Sequence, residues 1–347
     1  MRLPWQQKAV QYILQNSLAL KYIKSHRVDP YYNLALEEYL LNNVGENEVI
    51  LYLWQNKDTI VIGKNQNPWK ECKVHDLEEA GGNIARRLSG GGAVFHDLGN
   101  LNFTFLMKEE LYNLEKQLQV ILQGIRSIGI DAEFTGRNDI TVQGRKFSGN
   151  AFYFDNDKAY HHGTILINSD MNKLTKYLQV SKEKIASKGI DSVRSRVVNL
   201  SEIKRNITLE ETEKALEKSF CEVYGGELEL LNVSLENEEF KKLIEKYSSW
   251  QWRFGESPQF DVSFAKRFSF GGIEIGFTLK NGEIDEVTIY SDFMNTNLID
   301  KIKTSFKGIK FNISEVIHSL DHISKDDEER TIIDEIQRWL LEKEKNF

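Results

Sequence analysis

Residues 86–105 read RRLSGGGAVFHDLGNLNFTF, so two arginines, a serine and three consecutive glycines precede an alternating apolar run. Glycine lacks a side chain and accepts positive φ, so successive backbone N–H groups in such a segment can converge on an anion. Arg86 and Arg87 add positive charge, which makes phosphate the natural ligand. The strand-like flanks argue against a flexible linker. Neither a P-loop nor a GxGxxG dinucleotide fingerprint is present.

A second concentration of reactive side chains lies in residues 136–154, GRNDITVQGRKFSGNAFYF. Lys146 begins a predicted strand, where an inward-facing lysine could contact a carboxylate and a phosphate together, although most strand lysines face solvent. Asp139 could help to hold a divalent cation beside phosphates, or could be a turn residue. His161 and His162 are adjacent on the next strand and point to opposite faces, so at most one of them faces a pocket.

The surrounding periodicity predicts an α+β fold. Residues 32–42 and 115–128 have helical apolar spacing, and Asp29 and Pro30 mark the start of the first helix. The runs at 49–56 and 59–63 are β-branched and aromatic and predict a hairpin. Because few parallel crossover signals are present, we expect a large N-terminal domain built on a mixed or antiparallel sheet.

A smaller α+β domain is predicted at the C-terminal end, at 250–347, after the large N-terminal domain at 21–249. Gly255 and Pro258 punctuate its start, and the polar stretch before Gly255 could act as a hinge. Alternating runs at 268–289 flank an Asn-Gly pair, the strongest short-range signal of a hairpin. Residues 1–20 are expected to be an N-terminal extension, either an amphipathic helix or a disordered or untranslated segment.

Composition narrows the classes of partner. The chain carries 45 Lys+Arg against 52 Asp+Glu, a net charge of −7, which argues against nucleic acid as a partner. No apolar stretch approaches the length of a membrane span, so no membrane partner is expected. Two cysteines, Cys72 and Cys221, are too few for a disulfide framework, which favours a reducing cytoplasmic location. We expect a monomer.

Motifs spread along most of the chain resemble the lipoate–protein ligase A family in its bacterial two-domain form. In order, the motifs are NPWKEC, ARRLSGGGAVFHDLGN, GRNDI, RKFSGNA, HHGT, SKGIDSVRSRVVNL and QWRFGESPQF. The resemblance extends from about Tyr22 to the C-terminus. It implies an ATP-dependent ligase that uses Mg²⁺ to form lipoyl-AMP from lipoate and ATP. The lipoyl group then passes to a lysine of a lipoyl domain, on E2 subunits of 2-oxoacid dehydrogenases or on the glycine cleavage H protein.

The resemblance also implies roles for particular residues. Lys146 is the expected catalytic residue and contacts both substrates. The nucleotide-binding set that it implies is Arg87, Gly92, Ala93, Val94, Phe95, Asn138, Asp139 and Lys146. The lipoate-binding set that it implies is Ser89, Gly91, Lys146 and His162. Asp139 is the expected Mg²⁺ ligand. Leu88, Val94 and Phe147 are candidates for the lining of the lipoyl tunnel, which should be apolar.

The sequence departs from the family's pattern at two positions, and several other classes of protein are alternatives. Leu88 and Tyr153 stand where some family members carry polar or basic groups, which leaves the preferred acyl chain open. An octanoyl- or lipoyl-transferase would need a cysteine in the pocket, and the sequence positions of Cys72 and Cys221 argue against this. A lipoyl-amidotransferase would keep the fold and need no ATP. A biotin ligase would carry an Arg-Gly-rich loop that is absent, and a non-catalytic lipoate-binding paralogue would most simply lack Lys146.

Overall fold

The structure is a computed structural model and describes residues 18–135, 139–178, 197–254, 262–280, 283–311 and 313–344. Its strands are β1 Ala19–Lys24, β2 Glu48–Trp54, β3 Thr59–Ile62, β4 Asn83–Arg86, β5 Val94–His96, β6 Asn100–Lys108, β7 Ala132–Thr135, β8 Asp139–Val142, β9 Arg145–Asp155, β10 Lys158–Leu166, β11 Leu228–Leu230, β12 Val262–Arg267, β13 Gly272–Lys280 and β14 Glu283–Ser291.

The described helices are α1 Pro30–Asn42, α2 Pro68–Glu71, α3 Val74–Glu79, α4 Leu114–Ser127, α5 Met171–Tyr177, α6 Leu200–Ile203, α7 Leu209–Tyr224, α8 Glu238–Ser248, α9 Trp250–Arg253, α10 Thr296–Ser305, α11 Ile313–His318 and α12 Asp327–Glu344, with a 3₁₀ turn at Glu109–Leu111. Among them, none combines the length and the apolar character needed to cross a bilayer.

An eight-stranded mixed sheet organises the N-terminal part of the chain, in the order β11-β1-β2-β6-β10-β9-β8-β7. β1 runs parallel to both of its neighbours, and the remaining pairs are antiparallel. One face packs on α4 and α7, and the other packs on α1 and α8. The predicted α+β class with a mixed sheet is confirmed. The first 17 residues, most of the predicted extension, lie outside the described residues, and β1 already begins at Ala19.

Helix α1 begins where the sequence predicts it, because the side chain of Asp29 accepts hydrogen bonds from the backbone N–H groups of Tyr31 and Tyr32. Helix α7 ends at Gly225, whose φ of 75° is the left-handed conformation that glycine adopts without strain. These caps hold two helices against opposite faces of the sheet.

The predicted hairpin between 49–56 and 59–63 is wrong. β2 lies between β1 and β6 in the large sheet, so both of its edges are taken. β3 instead joins a separate three-stranded sheet in the order β4-β3-β5. Asp58, at a φ of 41°, lies in the turn where the chain leaves one sheet for the other. This small sheet carries Arg86 and the strand that follows the glycines.

The C-terminal part is an antiparallel sheet of β12, β13 and β14 covered by α10, α11 and α12 around its own apolar core. The predicted hairpin is confirmed by the pairing of β13 with β14, while Asn281 and Gly282 themselves lie outside the described residues. Two polar contacts tie this part to the loop after β3. Ser291 N–H donates to the carbonyl of Asn65 at 2.6 Å, and Lys64 Nζ lies 2.6 Å from Asp300 Oδ2.

Candidate active site

One cavity collects residues from distant parts of the sequence on the α1 face of the large sheet. Its floor comes from alternate positions of neighbouring strands, Asn102 on β6, His162 and Thr164 on β10, and Gly149 and Ala151 on β9. Its walls come from Leu34 of α1, Trp54, Val61, Arg87, the segment 91–94 and Met294. The glycine segment and the lysine strand, which are about fifty residues apart in sequence, therefore meet at one site.

Lys146 lines this cavity, and its Nζ lies 2.6 Å from Asp139 Oδ1 on the neighbouring strand. Both side chains are about one third exposed, at 34% and 40%, so the pair is open to a ligand. A side chain at Gly149 would place its Cβ 2.9 Å from Lys146 Nζ. The absence of that side chain lets the lysine lie along its own strand.

Arg87 shapes the glycine segment. Its guanidinium donates to the carbonyls of Gly90 at 2.7 Å and Gly92 at 2.8 Å, to the Val61 carbonyl at 3.1 Å and to Ser89 Oγ at 2.9 Å. Burial lowers the pKa of Arg87 to about 10, so it remains a cation at neutral pH. Because peptides are planar and trans, the N–H groups that follow these two carbonyls point away from the arginine. The segment therefore combines a buried cation with backbone donors.

Arg86, on the same strand, faces elsewhere. It donates to the carbonyls of Gly63, Lys64, Gln66, Trp252 and Arg253. Arg86 therefore ties the loop after β3 to the helix α9 that ends just before the C-terminal part. Of the two arginines singled out by sequence, only Arg87 lines the cavity.

The two histidines separate as strand alternation predicts. His162 lines the cavity, with Nδ1 2.9 Å from Glu37 Oε1 and Nε2 2.8 Å from Ser89 Oγ. His161 lies in the opposite core, between Gln117 and Asn150, and burial lowers its pKa to about 3. The expectation that at most one of them faces a pocket is confirmed.

The other predicted site residues are placed as follows. Gly91, Gly92, Ala93 and Val94 line the cavity, and Ser89 lies just behind it against His162. The side chain of Phe95 turns into the apolar cluster of the small sheet. Asn138 lies outside the described residues. The structure brings most of the predicted residues together, and their individual roles stay predictions.

Two of the three residues suggested for the acyl tunnel do not line the cavity. The pairing of β8 with β9 skips Phe147, because Ile140 pairs with Ser148 and Thr141 with Lys146. Phe147 is therefore the extra residue of a β-bulge, and its side chain is fully buried in the core on the other face of the sheet. Leu88 packs in the cluster between α1 and the sheet. Of the three, Val94 lines the cavity, and the larger apolar surfaces come from Trp54, Leu34 and Val61.

Several site residues were not predicted from the sequence. His96 and Asn102 line the cavity, and His96 Nε2 and Asn102 Nδ2 are buried without a hydrogen-bond partner among the described residues. His96 Nδ1 faces Asn56 Nδ2 at 3.2 Å, so it accepts and the proton lies on Nε2. Burial lowers the pKa of His96 to about 3, which keeps it neutral. The run NLNFT could have predicted a polar site here, since Asn100, Asn102 and Thr104 occupy every second position and therefore share one face of the strand.

A metal site made by protein groups alone is not found in the described parts of the chain, because no three His, Cys, Asp or Glu side chains cluster there. Cys72 is buried in the small-sheet cluster, and Cys221 is half-buried on α7. Neither cysteine lines the cavity. The arrangement therefore offers anion binding and a positive charge at a reacting centre, with no thiol nucleophile.

Comparisons with known proteins place this fold and cavity in a defined class. Residues 29–221 match the lipoyl protein ligase A/B catalytic domain, and residues 257–340 match the bacterial lipoate protein ligase C-terminus. Lipoate-protein ligase A from Blochmanniella floridana is 38% identical over 332 residues, covering 93% of this chain and 98% of that protein. The same enzyme from Psychrobacter cryohalolentis is 38% identical over 334 residues, with the same two coverages.

A solved structure agrees with these relatives. The crystal structure of P. falciparum LipL1 in complex with lipoate superposes with a TM-score of 0.81 at 36% identity, covering 93% of this chain and 99% of that one. A lipoate-protein ligase A crystallised with ATP shares the fold at 23% identity and a TM-score of 0.59, covering 69% of this chain and 99% of that chain. The chain belongs to the lipoate–protein ligase A family, and it is an enzyme of lipoate–protein ligation. The resemblance drawn from its motifs is confirmed.

Proposed function

We propose that this enzyme activates lipoate with ATP as lipoyl-AMP and passes the lipoyl group to the ε-amine of one lysine on a lipoyl domain. The acceptors would be lipoyl domains of 2-oxoacid dehydrogenase E2 subunits and the glycine cleavage H protein. The observation that carries the proposal is the meeting of Lys146, Arg87 and the glycine segment 91–94 around one cavity. Its cytoplasmic location and monomeric state stay predictions from the sequence.

In the first step, a carboxylate oxygen of lipoate attacks the α-phosphorus of ATP, and the bond to the β-phosphate oxygen breaks to release pyrophosphate. Two anions must approach each other, and charge builds on the α-phosphate oxygens. Lys146 can contact both groups, so its positive charge stabilises the transition state where the repulsion is largest. Backbone donors of the segment 92–95 and the charge of Arg87 would hold the phosphate.

Mg²⁺ would bind beside the nucleotide. Asp139 offers one carboxylate beside Lys146, which lines the cavity, and Mg²⁺ commonly uses one or two protein carboxylates together with substrate phosphates. When bound, the ion would neutralise phosphate charge. Asp139 also holds Lys146, so the same carboxylate would orient the lysine.

The lipoyl tail would occupy the apolar side of the cavity. Trp54, Val61 and Leu34 supply that surface, next to His162. The P. falciparum relative crystallised with lipoate supports this assignment of ligand. In the second step, the amine of the acceptor lysine attacks the carbonyl carbon of lipoyl-AMP, an amide bond forms, and AMP leaves. Placing the amine against the anhydride supplies much of the rate.

The test is a mass assay with purified protein, apo lipoyl domain, lipoate, ATP and Mg²⁺. We expect an ATP-dependent gain of one lipoyl group. Lys146→Ala should lose it, while the matched control Lys158→Ala should not, because Lys158 is a strand lysine that donates to the Asn42 carbonyl away from the cavity. Transfer without ATP from a lipoylated donor, and none from free lipoate, would make the protein an amidotransferase.

A further inference from the structure

Behind the cavity, buried polar side chains form one continuous chain of hydrogen bonds that links the acyl side to the glycine segment. Its members, in order, are Trp54, Thr104, Glu37, His162, Ser89 and Arg87. The five distances are 3.0, 2.7, 2.9, 2.8 and 2.9 Å in that order. Every member is more than nine-tenths buried, which shields the chain from competing water.

The chemistry of the two ends sets the direction of the hydrogen bonds made to Glu37. Arg87 only donates, so Ser89 Oγ accepts from it. A carboxylate only accepts, so His162 Nδ1 donates to Glu37 Oε1, while His162 Nε2 and Ser89 Oγ share the hydrogen bond between them. From the other end, Trp54 only donates, so Thr104 accepts from it and donates to the same oxygen of Glu37. Both arms of the chain therefore end on the carboxylate of Glu37.

The negative charge of Glu37 also stabilises the buried positive charge of Arg87. The direct partners of this buried cation are carbonyls and a hydroxyl, and burial lowers its pKa. The charge of Glu37 acts in the opposite direction and favours the charged guanidinium. Ser89 and His162 lie between the two charges. A carboxylate on α1 thus balances and orients an arginine that shapes the glycine segment.

We propose that Glu37 is a positioning residue for the nucleotide, acting through His162 and Ser89 on Arg87 and hence on the segment Gly90–Gly92. This inference rests on the proposed function, which assigns the glycine segment to ATP. Trp54 and His162 belong both to this chain and to the cavity wall. The same network therefore connects the acyl surface with the nucleotide segment.

The test uses Glu37→Gln, which keeps an oxygen in place to accept both hydrogen bonds and removes the charge. Calorimetry would measure the Kd of α,β-methylene-ATP with Mg²⁺, which cannot release pyrophosphate, and separately the Kd of lipoate. We expect the nucleotide Kd to rise about tenfold and the lipoate Kd to change less than about twofold. The matched control is Glu38→Gln, which removes the neighbouring carboxylate of α1 from its pair with Lys246 at 2.7 Å and should change neither Kd.

A second variant separates action through Arg87 from a merely structural role. Ser89→Ala cuts the chain without touching a charge, so it should raise the nucleotide Kd by a similar factor. The double variant Glu37→Gln with Ser89→Ala should be no worse than either single one, because both break the same path. If Glu37→Gln fails to fold, the two single variants Ser89→Ala and Thr104→Val are compared, because each removes a hydrogen bond on a different side of Glu37. Ser89→Ala should then raise the nucleotide Kd more than Thr104→Val does.

The outcomes are distinct. An unchanged nucleotide Kd in Glu37→Gln, an equal loss for both ligands, or strictly additive effects in the double variant would each overturn the positioning role while leaving the proposed function intact. A Ser89→Ala that changes the nucleotide Kd no more than Thr104→Val does would overturn it too. A wild-type protein that binds lipoate but no nucleotide would overturn the proposed function itself.

Discussion

Among the described residues, Arg87 and Lys146 are the arginine and the lysine that line the cavity, and their surroundings suit different tasks. Arg87 is 5% exposed and holds backbone carbonyls, so it is a fixed part of the wall. Lys146 is about one third exposed and paired with Asp139, so it can exchange that partner for a substrate oxygen. A fixed arginine next to a lysine that can change its partner suits a site that must hold a nucleotide and then stabilise a short-lived transition state.

Asp139→Asn should slow adenylation by about tenfold while leaving stability nearly unchanged. The pair with Lys146 is partly solvent-exposed, and such pairs contribute only about 0–1 kcal/mol to the free energy of unfolding. Initial rates of pyrophosphate release and urea unfolding measure the two effects. Glu210→Gln, which breaks a surface ion pair with Lys214, is the control and should alter neither quantity much. A large loss of stability in Asp139→Asn would show that the pair is structural.

Gly91→Ala should destabilise the glycine segment by about 1–2 kcal/mol, because a left-handed conformation costs that much in a residue with a side chain. Gly91 has a φ of 88°, and its added Cβ would lie 2.9 Å from Met294 Sδ and 3.1 Å from Arg87 Nη2. At Gly92, no atom of the described residues other than its chain neighbours lies within 4 Å of an added Cβ. Gly92→Ala should therefore change the free energy of unfolding by less than about 0.5 kcal/mol. Equal losses for the two substitutions, measured in urea, would contradict this account.

At the residue level, the site residues that could be predicted from the sequence are those that lie in short local motifs. Lys146, Arg87 and His162 stand in short motifs with glycine or paired histidines. Glu37 and Trp54 were missed because they come from α1 and β2, and only packing brings them to the cavity. Phe147 was misplaced because it is the extra residue of a β-bulge, and which face such a residue takes depends on the pairing of β8 with β9.

At the scale of elements, helices with strong caps and one marked hairpin were predictable, and sheet membership was not. The pairing of β13 with β14 follows from strict alternation around Asn-Gly. β2 and β3 carry equally strong strand signals, yet each pairs with strands distant in sequence. The local sequence pattern predicts that a segment is a strand. The strands with which it pairs depend on which strand edges of the sheet are already occupied.

Two buried histidines, His161 on β10 and His96 on β5, give the protein a pH dependence of stability. The pKa of His161 is lowered to about 3 by burial, and that of His96 is lowered equally. Below about pH 6.5 these histidines become protonated in the unfolded chain but stay neutral in the folded protein. The free energy of unfolding is therefore highest above that pH and decreases as the pH falls. Each histidine contributes a slope of up to about 1.4 kcal/mol per pH unit.

His161→Gln should therefore flatten the acid side of the stability curve. Urea unfolding at three pH values between about 7 and 5 measures the slope, which should fall by up to about 1.4 kcal/mol per pH unit in the variant. His318→Gln is the control, since His318 is exposed on α11. Identical slopes for wild type and His161→Gln would show that His161 takes up a proton in the folded state.

At the scale of the whole molecule, the C-terminal part closes on the glycine segment. A side chain at Gly90 would place its Cβ 2.4 Å from the carbonyl oxygen of Phe293, and Met294 lines the cavity. The contacts between Ser291 and Asn65 and between Lys64 and Asp300 hold this arrangement. The polar composition of those contacts suits a surface that opens during the catalytic cycle. Of the predicted hinge, Gly255 lies outside the described residues, and the polar stretch before it forms helices α8 and α9.

A reversible crosslink tests that movement. Lys64 Nζ and Asp300 Oδ2 lie 2.6 Å apart, so the side chains of Lys64→Cys and Asp300→Cys, in a Cys221→Ser background, should face each other and be bridged by a short, reducible, bifunctional thiol reagent. We expect the crosslinked protein to lipoylate its acceptor more than about tenfold more slowly than the same protein after the reagent is cleaved. Each single cysteine variant should be insensitive to the reductant. Full turnover in the crosslinked state would show that the closed arrangement needs no opening.

The most direct measurement isolates the adenylation step that the cavity is proposed to perform. Purified protein, lipoate, Mg²⁺ and ATP labelled in the α-phosphate, without any acceptor, should yield lipoyl-AMP and one pyrophosphate per adenylate. Lys146→Ala should slow that formation by about 10² to 10³, the usual effect of losing one preorganised contact with developing charge. Absence of lipoyl-AMP from the wild type, or its formation at the wild-type rate in Lys146→Ala, would contradict the account.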